Sequence, residues 1–214
     1  YKITYGQTSH TPVNLAAMSD RALVSLHSHR NEWYVRHARR LLQERAAAGK
    51  LNGTVAATLW DGCRTWKDPK QRLRALWTLH AIGGLNEGRL SQLLTDKDEH
   101  IRAWAVRLEL EDRKVSRETL ATLQMLADDD PSTIVRLQLA STLQRLPLKD
   151  RWDIAEALVA HGEDATDHNI PLMIWYGIEP LVVADQTRAV QLVAKAKIPL
   201  IRRFIARRIA SLAK

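Results

Sequence analysis

Eight histidines, at positions 10, 27, 29, 37, 80, 100, 161 and 168, one cysteine and 24 carboxylates are the groups from which this chain could build chemistry. His27-Ser28-His29, with His37 beyond it, is the one local imidazole cluster. Residues two apart on a helix end point away from each other, so this spacing makes a poor metal site unless the segment is extended. His161-Gly162-Glu163-Asp164 and Asp167-His168 gather two imidazoles and three carboxylates, enough to attract a divalent cation. The alternative reading is a solvated loop whose acids cap the next helix, and it is preferred. Cys63 stands between Gly62 and Arg64 with no histidine at useful spacing, which reads as a buried structural thiol rather than a nucleophile. The residues thus predict no catalytic, metal or cofactor site, and the chain is expected not to be an enzyme.

The elements that must position these residues follow a repeat. Asp68 precedes Leu73-Arg74, Asp96 precedes Ile101-Arg102, and Asp130 precedes Val135-Arg136, with the acid six residues ahead of the arginine each time. Val35-Arg36 and Ile201-Arg202 repeat the second half without the acid, and Ile170-Pro171 fills the remaining slot without the arginine. Self-similarity at a period near 33 residues marks a helical solenoid, an architecture that usually binds rather than catalyses. The expected fold is all-α, an α-α superhelix of HEAT-like or armadillo type with about six helix pairs. The repeats span about 15–49, 50–84, 85–114, 115–147, 148–180 and 181–214. Residues 1–14 read as an extended lead-in, with Tyr1–Gly6 alternating like the last strand of a preceding β domain.

Helix boundaries can be placed from capping chemistry. Ser19-Asp20, Asn31 and Asp68-Pro69 are starts, and Gly49 and Gly83-Gly84 are stops. Later pairs are expected near 86–94 and 97–110, 116–127 and 131–145, 149–161 and 168–178, and 184–196 and 199–212. Asp130-Pro131 is read as a start like Asp68-Pro69. Within the stack, Asp68, Arg74, Asp96, Arg102, Asp130, Arg136, Arg36 and Arg202 are expected to form a ladder along the seams between repeats. Each arginine would pair with its own acid or the next one along.

Composition narrows the partners. Net charge is +8, but residues 116–180 hold five basic against eleven acidic groups, while 1–50 and 181–214 are strongly basic. A nucleic-acid track is normally basic along its length, so nucleic acid is not the expected partner. No apolar run reaches the length of a membrane span. Seven tryptophans are expected mostly as repeat core, with Trp33 and Trp175 partly exposed. The candidate interaction surface is Trp33, Trp175, Tyr176, Arg203 and Arg207. The last helix, with Ile198, Ile201, Ile205, Ile209 and Leu212 opposite Arg202, Arg203, Arg207 and Arg208, is read as docked on the preceding pair.

The segments 31–45, 72–80, 101–106 (Ile101-Arg102-Ala103-Trp104-Ala105-Val106) and 171–181 (Pro171 through Trp175-Tyr176-Gly177 to Leu181) carry a closer likeness. Together they resemble the HEAT-repeat region of large secreted planctomycete-type proteins described as membrane-bound dehydrogenases or haem-binding proteins. The resemblance implies a β-propeller before this region, a c-type cytochrome domain after it, and a periplasmic or extracellular location. The haem-attachment motif is absent from these residues, so any oxidoreductase chemistry would lie elsewhere. The function expected is a non-catalytic scaffold or protein-interaction module within a larger protein, its small-molecule ligands unknown. The rival is a basic HEAT-like DNA-binding protein related to alkylpurine DNA glycosylases.

Overall fold

A computed structural model describes Tyr5, Gly6 and residues 12–213 of the chain. The described residues are all-helical, with twelve α-helices and no strand. Most of the expected strand at Tyr1–Gly6 and the linker from Gln7 to Thr11 lie outside the described residues, and Tyr5 and Gly6 are not in a strand. The chain forms two compact units, Tyr1–Leu85 and Asn86–Lys214.

In the first unit the helices are α1 (Asp20–Ser25), α2 (Glu32–Ala47), α3 (Val55–Thr65) and α4 (Pro69–Ala81). Their ends follow local rules. The side chains of Ser19, Asn31 and Asp68 accept from the amides of Ala22, Trp33 and Lys70, satisfying donors that a helix start leaves open. Gly49 and Gly83 stop α2 and α4 at φ of +66° and +72°, a conformation glycine adopts without a side-chain clash. Leu23, Val35, Ala38, Leu42, Leu59, Leu76 and Leu79 are fully buried, so α2 and α4 bury one stripe each against α1 and α3.

The second unit holds α5 (Glu87–Leu94), α6 (Glu99–Glu109), α7 (Arg117–Asp129), α8 (Thr133–Thr142), α9 (Trp152–Val159), α10 (Ile170–Ala184), α11 (Gln186–Lys195) and α12 (Pro199–Leu212). The second helices of successive pairs pack on one another, α6 on α8, α8 on α10 and α10 on α12, while α7 packs on α9 and α9 on α11. Helix α10 continues to Ala184, six residues past the expected end, carrying Pro180 in its interior. The predicted cap at Asp130-Pro131 is corrected. Ser132 caps α8, accepting from Ile134 and Val135, and Asp98 rather than Asp96 caps α6. Asp96 and Asp130 therefore sit two residues before the capping residues of their helices. Their side chains accept the amides of Asp98 and Ser132, and that of Asp130 serves a second group as well.

Gly177 of α10 lies so close to Leu143 that an added Cβ would fall 2.5 Å from the leucine Cβ. Close approach at that point is what lets α10 settle against α8 and the 3-10 turn after it (Leu143–Arg145).

Candidate interaction surfaces

The arginine ladder exists in the second unit, with a partner that the repeat pattern did not supply. Arg102 donates through Nε and Nη2 to both carboxylate oxygens of Asp130, at 2.7 and 2.8 Å, and through Nη1 to the carbonyl of Asp96. Arg136 repeats the arrangement one step on, donating to both oxygens of Asp164 at 2.7 Å and to the carbonyl of Asp130. Each arginine thus grips its own loop by the backbone and the next loop by a forked ion pair, the geometry that suits a guanidinium. The acids raise the affinity of Arg102 and Arg136 for their protons further still, through the forked bonds first of all. Asp164 is 1 % exposed and Arg136 3 %, so this is a buried pair. Asp164, expected in a solvated loop, is instead the buried acid that receives Arg136.

Four members of the expected ladder stand elsewhere. Arg74 turns back to the preceding pair, donating to the carbonyl of His27 at 2.7 Å and pairing with Glu32, while Asp68 serves as a helix cap. Arg36 is exposed on α2, and the inward arginine there is Arg39, which donates to Thr78 and lies over the ring of Trp77. Arg202 is exposed on α12. The forked bond reaches forward to the acid of the following loop, and α12 is the last helix among the described residues.

The imidazoles are committed to structure. His27 is fully buried, with Nδ1 2.9 Å from the carbonyl of Val24 and Nε2 2.6 Å from the Thr78 hydroxyl. Burial, with the positive charges of Arg39 and Arg74 adding to it, lowers its pKa to about 4. His37 stacks on Trp33 with ring centres 4.0 Å apart, and His29 lies against Tyr34 at 4.3 Å. His161 places one ring nitrogen at the carbonyl of Ala127 and the other at Glu163, and Asp167 accepts the amides of Asn169 and Ile170. Among the described residues no group of three or more His, Cys, Asp or Glu is arranged to hold a metal ion. Cys63 is buried.

The tryptophans, expected mostly as repeat core with Trp33 and Trp175 partly exposed, lie mostly at the edge of that core. Trp152 is buried, Trp33 is 46 % exposed, and the other five are partly covered. Several have a guanidinium over the ring, Arg107 on Trp104 at 4.8 Å and Arg188 on Trp152 at 4.7 Å among them. A broad ring that also takes a cation belongs at the edge of the core, where the charge stays wet. In α10, Trp175 packs on Phe204 of α12 at 5.2 Å, and Tyr176 beside it is 51 % exposed.

These side chains share one face. On successive second helices the positions equivalent through the repeat are Trp104 and Arg107 on α6, Gln138 and Ser141 on α8 (with Ile134 and Leu137 one turn before them on the same side), Met173 and Tyr176 on α10, and Phe204 and Arg207 on α12, all exposed or partly so. Spacings of three or four keep each pair on one side of its helix. Helices α8, α10 and α12 carry a single acid, Glu179, and it pairs with Arg208 at 2.7 Å. The acids that make residues 116–180 negative lie on first helices and loops. Asp153 and Glu156 of α9, for example, pair with Arg188 and Lys195 of α11. No described helix is long and apolar enough to cross a membrane. Compared with protein families, curated proteins and solved structures, the chain matches none of them.

Proposed function

We propose that the chain is a non-catalytic helical-repeat scaffold of HEAT-like type that binds another protein segment along the second-helix face of its second unit. One observation carries the reading: that face exposes aromatic, aliphatic and arginine side chains together, and the one acid on α8, α10 and α12 is already paired. Large amphipathic side chains and arginine are the residues that dominate protein interfaces. A complementary partner would present acidic residues interspersed with apolar ones. The repeated Arg102–Asp130 and Arg136–Asp164 links support the HEAT-like assignment, since the same forked bond recurs between successive pairs. Duplex DNA fits this face less well, because exposed Ile134 and partly covered Leu137 and Met173 offer nothing to a phosphate backbone. The resemblance to the HEAT region of planctomycete-type haem-binding or dehydrogenase-like proteins is part of the same proposal, with any redox chemistry placed in other domains.

The test is a binding titration at near-physiological salt. Its probes are a fluorescent amphipathic peptide carrying Glu and Leu at helical spacing, the same peptide with Lys for Glu, and duplex DNA. The acidic peptide should bind, and Tyr176→Ala together with Arg203→Glu and Arg207→Glu should weaken it at least about fivefold, as loss of anchor side chains does. DNA binding that persists in this salt, or equal binding of both peptides, refutes the reading.

A further inference from the structure

The second unit contains a cleft of about 590 Å³ at the junction of α5, α6 and the loop into α7. Its chemistry is unlike that of the second-helix face. Glu109, the last residue of α6, lines it and is only 9 % exposed. One carboxylate oxygen accepts from the Thr119 hydroxyl at 3.1 Å, and Thr119 in turn accepts from Ser116. The other oxygen, Oε2, is buried with no hydrogen-bond partner. A buried carboxylate normally has its oxygens satisfied, because stripping its water without replacement is costly.

The surroundings sharpen the anomaly. Glu87 and Asp112, also on the cleft wall, place two more negative charges near Glu109. Burial and these acids push the Glu109 carboxyl above its ordinary value. Leu90, Leu108 and Val115 supply an apolar wall beside the acids. Lys114 lies at the exposed rim, in a turn where Arg113 holds φ at +61°, unusual for a long side chain. Because no metal-holding group of three ligands exists among the described residues, the cleft does not suit a bare divalent ion.

We propose that this cleft binds an organic monocation, an alkylammonium or guanidinium group, whose carbon stem lies on Leu90, Leu108 and Val115 while its N–H groups reach Glu109. A Lys- or Arg-like stem covers apolar surface and delivers charge to a carboxylate, which is the pairing these walls offer. The same chemistry serves a free amine or the side chain of a partner chain. The site is separate from the second-helix face, so either can fail without the other.

The whole chain, labelled for amide NMR, is titrated with butylammonium, N-acetyl-arginine amide, n-butanol and calcium chloride in turn. Saturable shifts at Glu109, Ser116 and Thr119 with either organic cation are expected. Glu109→Gln, which keeps an acceptor for Thr119, should weaken them at least about tenfold, as loss of a charge-assisted contact does. Lys114→Gln should tighten binding by removing a competing cation. Tighter binding of the arginine amide assigns the site to a partner's side chain, and tighter binding of butylammonium to a free amine. The proposal is overturned if neither organic cation gives saturable shifts, or if Glu109→Gln binds like the parent. It is equally overturned if butanol or calcium reproduces the pattern.

Discussion

Lowering the pH should weaken the first unit through one side chain. His27 links α1, α2 and α4. Its Nδ1 faces the Val24 carbonyl and its Nε2 the Thr78 hydroxyl, which accepts from Arg39 and also lies within donating distance of the Arg74 carbonyl. Burial removes the ring from water, which disfavours the charged imidazolium. Protonation would add a positive charge beside Arg39 and Arg74. The folded pKa of about 4 lies below the value of 6.5 for a free histidine. In that window the unfolded chain binds a proton that the folded chain refuses, so stability falls as pH falls from about 6.5 towards 4 and is complete above it. The shift corresponds to a loss of roughly 2 kcal/mol between pH 7.5 and 5, approaching 3 by pH 4, at about 1.36 kcal/mol per unit. Urea unfolding of the parent and of His27→Asn, followed by hydrogen exchange in α2 and α4, isolates the effect, since other titrating groups cancel in the difference. The stability gap between them should shrink by those amounts on acidification. A gap that stays constant from pH 7.5 to 4.5, or an NMR titration placing His27 near 6.5, refutes the reasoning.

Asp164→Ala strands a buried guanidinium at Arg136 and should destabilise the second unit by about 3–5 kcal/mol, whereas Arg202→Ala on exposed α12 should change stability by less than about 0.5 kcal/mol in the same denaturant series. Gly177→Ala drives a methyl into Leu143 and should cost about 1–3 kcal/mol, read as a lowered thermal midpoint, while Leu143→Ala in the same chain should recover part of the loss of Gly177→Ala alone. Glu109 has a raised folded pKa, so its drag on stability grows as pH rises above the ordinary carboxylate range. Glu109→Gln should accordingly gain on the parent as pH rises from below the ordinary carboxylate range to neutral, which paired melting curves would show as a larger difference at neutral than at acid pH.

Much of this architecture was legible in the residues, and the misses have a common cause. The starts at Ser19, Asn31 and Asp68 and the stops at Gly49 and Gly83 were readable because capping and left-handed glycine turns depend on a few adjacent residues. Asp130-Pro131 looked identical to Asp68-Pro69, yet Ser132 is the cap and the aspartate receives Arg102, 28 residues away. The pairing of Asp164 was illegible because its partner Arg136 is also 28 residues distant. The cleft at Glu109 had no signal at all: its acids and leucines come from two helices and a loop, and nothing in their spacing predicts that one carboxylate oxygen is left unpaired.

The sequence by itself determined that the described residues are helical, where most of their twelve helices begin and end, and which aliphatic stripes they bury. Those properties follow from propensity, capping and 3.6-residue periodicity, all local. Only the tertiary structure decided which arginines bind which acids, that the tryptophans sit at the edge of the core, and that the acids of the middle third leave the second-helix face of the second unit uncovered by negative charge. Charge pairing across a helix stack depends on distances between distant residues, and these are set by how the helices pack rather than by the order of residues along them.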